Sequence, residues 1–155
     1  MDTTTAALRI RQMLDLQVQC ALATQGVEAP SLHLMAYAVS DDLSDVFVAS
    51  RADTTKVENM RARPPVALMW DNRTGSLSDH VEGTVLTARA AARELCGEER
   101  SHAVAVLASR NASLEGLLSA GTTAVFALAV ETYGLGIGYS DHTNYAPQRG
   151  TPLRR

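Results

Sequence analysis

Apolar residues recur along the chain with two different periods. Near the start, Leu8, Met13, Leu14 and Leu16 or Val18 fall at helical spacing behind Thr3-Thr4-Thr5, which offers a cap, so a helix is predicted there. Gln19 to Thr24 is a short apolar stretch that stops at Gln25-Gly26, the pattern of a strand and a turn. Leu32 to Val39 follows Pro30, Asp41-Asp42 marks a turn, and Asp45 to Ser50 is apolar again, which predicts a hairpin. Asp53 to Ala62 has the polarity of a short helix, with Asp53 as its cap and Pro64-Pro65 forcing its end.

Val66 to Trp70 predicts a further strand, Asp71 to Gly75 a loop, and His80 to Leu86 another strand. Gly83 lies inside that last one, where a glycine marks a bulge, a bend or a close backbone approach. Ala88 to Ala108 is alanine-rich, with Arg89, Arg93, Glu94, Glu98 and Glu99 at its polar positions, and predicts a helix interrupted at Gly97. Ala112 to Ser119 predicts a second, shorter helix stopped by Gly121. Thr122 to Val130 predicts a strand, Tyr133 to Tyr139 a strand or extended loop, and residues 140–155, with Pro147 and Pro152, a loose or partner-dependent tail. Hairpin-linked strands with few crossovers argue for a mainly β antiparallel barrel with peripheral helices, not a parallel α/β sheet.

Composition narrows the function classes. The chain has 155 residues, 46% hydrophobic and 20% charged, which suits a single domain with a real core. A formal net charge of -3 without any block of like charge argues against nucleic acid or an anionic membrane as a partner. The opening MDTTTAALRIRQM has charges where a signal peptide needs an apolar stretch, and no apolar run approaches the roughly 20 residues of a membrane span. Cys20 and Cys96 form no metal or redox spacing, so a cytoplasmic protein with buried, free thiols is expected. The four histidines give no metal-ligand pattern, and isolated His80 and His142 read as surface or packing residues. Gly134-x-Gly-x-Gly138 lacks the strand-then-helix context of a phosphate loop and reads as flexible backbone.

One segment concentrates chemistry. In Val46-Phe-Val-Ala-Ser-Arg-Ala-Asp-Thr-Thr-Lys-Val-Glu-Asn59 a strand runs straight into a helix start that carries two threonines and a lysine. Free amides, the helix dipole, two hydroxyls and an ammonium converge there, as an anion site for a phosphate monoester requires; solvated threonines at an ordinary cap have the same pattern. Lys56 is the only lysine, the other thirteen of the 14 basic residues being arginine.

The run from Val46 to Trp70 resembles the flavin-binding core of the pyridoxamine 5'-phosphate oxidase-like family. The matching residues are Phe47, Thr54, Lys56, Asn59, Pro64 and the strand Val66 to Trp70. Residues 20–50 resemble the family's first strands and hairpin turn, and "DHVEGTVL" its glycine-bearing strand. The resemblance covers roughly residues 8–90. It implies a split barrel that forms a homodimer with two FMN sites at the interface. Thr54, Thr55 and Lys56 would hold the phosphate, with Arg51 or His33 replacing an arginine that the oxidase carries on its second strand near the place of Leu32 or His33. Ala49 and Ser50 would meet the ring or ribityl chain, and Ser78 and His80 would approach the ring from the opposite strand. The oxidase's C-terminal Trp and Arg have no match, which speaks against vitamin B6 oxidation itself. The implied activity is flavin-dependent oxidation or reduction of a small molecule, with no catalytic residue identified; a haem- or flavin-storing barrel and a deazaflavin enzyme are the alternatives.

Overall fold

The computed structural model describes residues 1–138 and 141–153. Helix α1 (Thr3–Leu16) is capped by Asp2, whose carboxylate accepts from the Thr5 amide at 3.0 Å, so the cap lies one residue ahead of the threonines. β1 (Gln19–Gln25) and β2 (Pro30–Ala36) form a hairpin, followed after Tyr37 by the short β3 (Ala38–Val39). β4 (Asp45–Arg51) leads into α2 (Thr55–Ala62), and β5 (Pro65–Asp71) follows once Pro64-Pro65 has ended the helix. Then come the one-turn α3 (Asp79–Glu82), the long β6 (Thr84–Glu94), α4 (Gly97–Arg110), a 3-10 turn at Ala112–Leu114, α5 (Glu115–Ser119), β7 (Thr123–Ile137) and β8 (Asp141–Tyr145).

The strands form one antiparallel sheet in the order β2-β1-β5-β6-β7-β4-β3, with β8 added beside β7. The first and last strands of that path are the two halves of one segment, broken only at Tyr37. The sheet therefore curls until its ends meet, which is the split barrel expected from the sequence. Tyr37 is fully buried, and its hydroxyl donates to the carbonyls of Leu14 (2.7 Å) and Gln17 (2.9 Å), tying this corner to the end of α1.

Alternating side chains of β1, β5, β6 and β7 fill the barrel: Leu22, Leu68, Trp70, Leu86, Phe126, Leu128 and Tyr133. α1 closes one part of it with Ile10 and Leu14, and α2 another with Val57 and Met60. A second cluster lies outside the barrel, where Phe47, Ala49, Val125 and Ala127 pack against Ala103 and Leu107 of α4 and Leu118 of α5. β4 and β7 are thus covered on both faces in this stretch, which explains their continuous apolar runs.

Several expectations are corrected. The alanine-rich segment forms β6 up to Glu94 and turns helical only at Gly97, which begins the helix with φ +58° instead of interrupting it. Leu86, Ala88, Ala90 and Ala92 face inward at every second position and the strand is paired on both sides, so ladder bonds and burial outweigh alanine's modest helix preference. His80 lies on α3, not in a strand, and Gly83 ends that turn; a Cβ there would sit 2.3 Å from the carbonyl oxygen of Asp79, so the glycine serves close backbone approach. The tail expected to be loose supplies β8, and beyond it Arg149 forms a bidentate pair with Asp45 while the Gly150 amide bonds Asp42 at 2.7 Å. Of the two cysteines, Cys20 is buried as expected and Cys96 is exposed. Gly134 and Gly136 lie within β7, paired to β6 and β8, and form no phosphate loop. No helix among the described residues is long and apolar enough to cross a membrane.

Candidate functional site

β4 is an edge strand over part of its length. β3 covers only Val46 and Phe47, so from Val48 onward the far side of β4 is paired to no strand among the described residues. The chain leaves this open edge at Arg51 and enters α2. Thr54 is the N-cap of α2 in place of the expected Asp53. Its carbonyl accepts the amides of Val57 and Glu58, both at 3.1 Å, which leaves the amides of Thr55 and Lys56 with no partner inside the helix.

The candidate residues divide into committed and uncommitted groups. The Thr54 hydroxyl donates to the Arg51 carbonyl at 2.9 Å and lies 3.2 Å from the buried Ser50 hydroxyl, so this pair shapes the bend between β4 and α2. Arg51 is held in a bidentate pair by Asp53, at 3.1 and 2.7 Å, with both side chains exposed. That pairing engages its guanidinium at the exposed surface just ahead of the helix start. Ala49 packs into the outer cluster against α4 and α5. The Thr55 hydroxyl and the Lys56 ammonium have no hydrogen-bond or ion-pair partner among the described residues. Two amides at the positive end of a helix, one hydroxyl and one ammonium are what a phosphate monoester needs, so the donor set fits the phosphate of FMN.

A polar network lies beside this helix start, under the closed end of the barrel. The Asn59 amide donates to the Thr24 hydroxyl at 3.0 Å, and Thr24 in turn lies 3.4 Å from His33 Nε2. Thr24 is only 1% exposed and Asn59 only 3%, so these bonds form away from water. Arg63 completes the group by donating to the Asn59 side-chain oxygen at 3.3 Å and to the Gln25 carbonyl at 2.6 Å. Partial burial, with Lys56 close by adding to it, pushes the His33 imidazole below the ordinary histidine value. Thr24 and Arg63 are absent from the residues singled out in the sequence. The available signal was Thr24 itself, a polar residue in phase with the inward Cys20 and Leu22.

Ser78 and His80 belong to a different place. They sit on the β5–β6 connection, at the opposite end of β5 from the Pro65 end that joins α2. A seven-residue strand spans roughly 20 Å. The Asp79 carboxylate organises this connection by accepting the amides of Thr74 and Gly75 and the Thr74 hydroxyl. His80 lines a cavity of about 480 Å³ together with Met69, Arg73, Leu77 and Val85. Within one chain, then, the structure brings Ser50, Thr54, Thr55 and Lys56 together and leaves Ser78 and His80 apart from them.

Outside the barrel, β1, β2 and β5 present a smooth apolar face. Leu34 stands opposite Ala21, which stands opposite Met69, and Leu32, Ala23 and Ala67 form the next row. Leu32 is 76% exposed and Leu34 72%.

Curled sheet, bent closing strand and helix-capped barrel end together make this chain a split barrel. No family model and no curated protein sequence matches it. Among solved structures, a haem-binding protein from Mycobacterium smegmatis superposes with a TM-score of 0.79 at 15% identity, over 94% of this chain and 58% of that one. This chain therefore spans less than two thirds of that protein. HutZ, the haem storage protein of Vibrio cholerae, aligns with a TM-score of 0.71 at 19% identity over 84% of this chain and 92% of its own. A Clostridium acetobutylicum protein of the pyridoxinephosphate oxidase family, related to general stress protein 26, gives 0.71 at 11% identity over 94% and 96%. The fold is shared with both haem proteins and an oxidase-family protein.

Proposed function

We propose that this chain binds FMN and acts as an oxidoreductase on a small molecule, as a homodimer with two cofactor sites at the interface. The observation that carries the reading is the start of α2. There Thr55, Lys56 and two open amides converge beside the unpaired edge of β4. Bound flavin would supply hydride chemistry at its N5, while the protein supplies orientation and charge. Thr55 and Lys56 would hold the phosphate, and the open β4 edge at Ala49 and Ser50 would lie along the ribityl chain and ring. Arg51, already paired with Asp53, is not part of this phosphate set.

The dimer is supported by two features. Leu32, Leu34 and Met69 lie on a face of small residues that suits burial against a second copy. Ser78 and His80 lie on the β5–β6 connection, at the opposite end of β5 from the one that follows α2, so in the proposed dimer the second chain would bring them to the same cofactor.

The test is the absorbance spectrum of the purified protein and its titration with FMN and riboflavin. Bands near 450 nm and tighter binding of FMN than of riboflavin are expected; equal affinity would remove the phosphate assignment. The names of the M. smegmatis and V. cholerae proteins favour a second reading, a haem-binding barrel. A Soret band on haem addition, with no flavin retained, would replace the first reading with the second.

A further inference from the structure

Two opposite charges interrupt the outer apolar face. Its rows run on from β5 to β6 and β7: Ala67 stands opposite Arg89, and Arg89 opposite Thr132. There the ladder between β6 and β7 slips by one residue. Arg89 pairs with Thr132 but Ala90 pairs with Val130, so Glu131 is the extra residue of a β-bulge. Glu131 and Arg89 line one cavity of about 320 Å³, whose other walls include Ala23, Pro30, Pro65 and Ala67. Both side chains are exposed. Neither makes an ion pair or a side-chain hydrogen bond among the described residues.

A cation and an anion thus share a cavity and leave each other unpaired. In water that costs little, because an exposed pair gains little. Burial of this face against a second copy changes the balance. A charge buried without a partner is strongly unfavourable, and walls of alanine and proline offer no counter-charge. Two-fold symmetry does offer one. Any contact from Arg89 to Glu131 of the partner subunit is repeated from the partner's Arg89 back to Glu131.

We infer that Arg89 pairs with Glu131 of the partner subunit, twice per dimer, and that these crossed pairs set the register in which the two copies meet. This rests on the dimer proposed above and names the contact that selects one arrangement of it. A face of leucine, methionine and alanine can slide against its copy with little change in buried area. Two symmetry-related ion pairs hold at one relative position only. That position determines whether Ser78 and His80 of the partner subunit approach the start of α2.

Charge reversal tests this on the whole chain. Arg89→Glu and Glu131→Arg each place like charges side by side on a surface that is exposed in one chain, so each variant should fold. Each alone should weaken self-association by at least about thirtyfold in sedimentation, the strength of a broken interfacial charge pair. Mixed in equal amounts, the two variants should form a mixed dimer of wild-type strength, because every crossed contact then joins opposite charges. Native mass spectrometry identifies that dimer by its mass. Should a reversed chain fail to fold, Arg89→Gln and Glu131→Gln take its place; each should weaken the dimer, and wild-type affinity in both would overturn the pair.

The mixing step separates crossed pairs from a pair closed within each chain. If the mixture stays monomeric while the chain carrying both reversals dimerises, the pair is internal and the inference falls. Single reversals that dimerise like the wild type would place both charges outside the interface and overturn it as well. A wild-type monomer would overturn the dimer itself and this inference together.

Discussion

The guanidinium of Arg110 lies 4.9 Å from the centre of the Tyr37 ring, at the single residue where the closing strand changes from β2 to β3. Arg110 donates to the same Leu14 and Gln17 carbonyls that accept from the Tyr37 hydroxyl, so a cation, a ring and the end of α1 meet at one corner of the barrel. Tyr37→Phe keeps the ring and removes the hydroxyl bonds. It should lower unfolding free energy by about 1–2 kcal/mol, since Arg110 still serves both carbonyls. Tyr37→Ala opens a cavity and should cost about 3–5 kcal/mol. Urea unfolding followed by tryptophan fluorescence reads both, because Trp70 packs on Tyr37 at 5.5 Å. Equal stability of wild type and Tyr37→Phe would show that the Tyr37 hydroxyl adds nothing to what Arg110 and packing supply.

Lys56→Ala should weaken FMN binding by roughly 10- to 100-fold, from the loss of one charge-assisted contact. Riboflavin affinity should stay the same, and stability should move by no more than about 0.5 kcal/mol, as for other partly exposed side chains without partners. Fluorescence titration of both proteins with both ligands checks it. An unchanged FMN affinity would leave Lys56 as an ordinary surface residue.

The proposed dimer depends on the outer face of β1, β2 and β5. Leu34→Glu places a charge beside Ala21 and Met69 on that face, where nothing pairs with it. In the monomer the change is on the surface and should be nearly neutral; in the dimer it should be disruptive. Sedimentation should find a dimer for the wild type at micromolar concentration and a folded monomer for the variant, with FMN retention falling in parallel. A wild-type monomer would exclude the two-chain site.

Asp42 gives the protein an acid-sensitive anchor for its C-terminal segment. Partial burial works against its charge, but the hydroxyls of Ser44 and Ser40 and the amides of Gly150 and Ser44 hold its carboxyl well below the usual carboxylate range. A carboxylate lowered on folding adds stability above its unfolded value, near 3.9, and that stability is lost as pH falls towards the folded value. Asp42→Asn should therefore be less stable than wild type at pH 7, with the gap closing in acid. The gap should also appear as faster proteolysis after Tyr145. Parallel acid-unfolding curves at constant separation would exclude the Asp42 carboxylate as the source.

The strands β1, β4 and β5, helices α1 and α2 and the turn at Asp41-Asp42 were legible in the sequence, because local pattern and final environment agree there. β1 and β5 alternate because only one face is buried, and Pro64-Pro65 ends a helix whatever surrounds it. The grouping of Thr54, Thr55 and Lys56 at the start of α2, where the proposed phosphate site uses Thr55 and Lys56, was legible as well, because it is local to one helix start. What only the tertiary structure decided involves residues whose local preference is weak or whose partners are distant. Alanine favours helix by a small margin per residue, so β6 is a strand only because β5 and β7 flank it. Arg51 reads as a spare cation until its pairing with Asp53 is seen. Thr24, His33, Asn59 and Arg63 come from three elements, and no spacing along the chain announces that one hydrogen-bonded line joins them. Hydrophobic period and turn chemistry are carried by neighbouring residues, whereas a shared charge environment exists only once the barrel has closed.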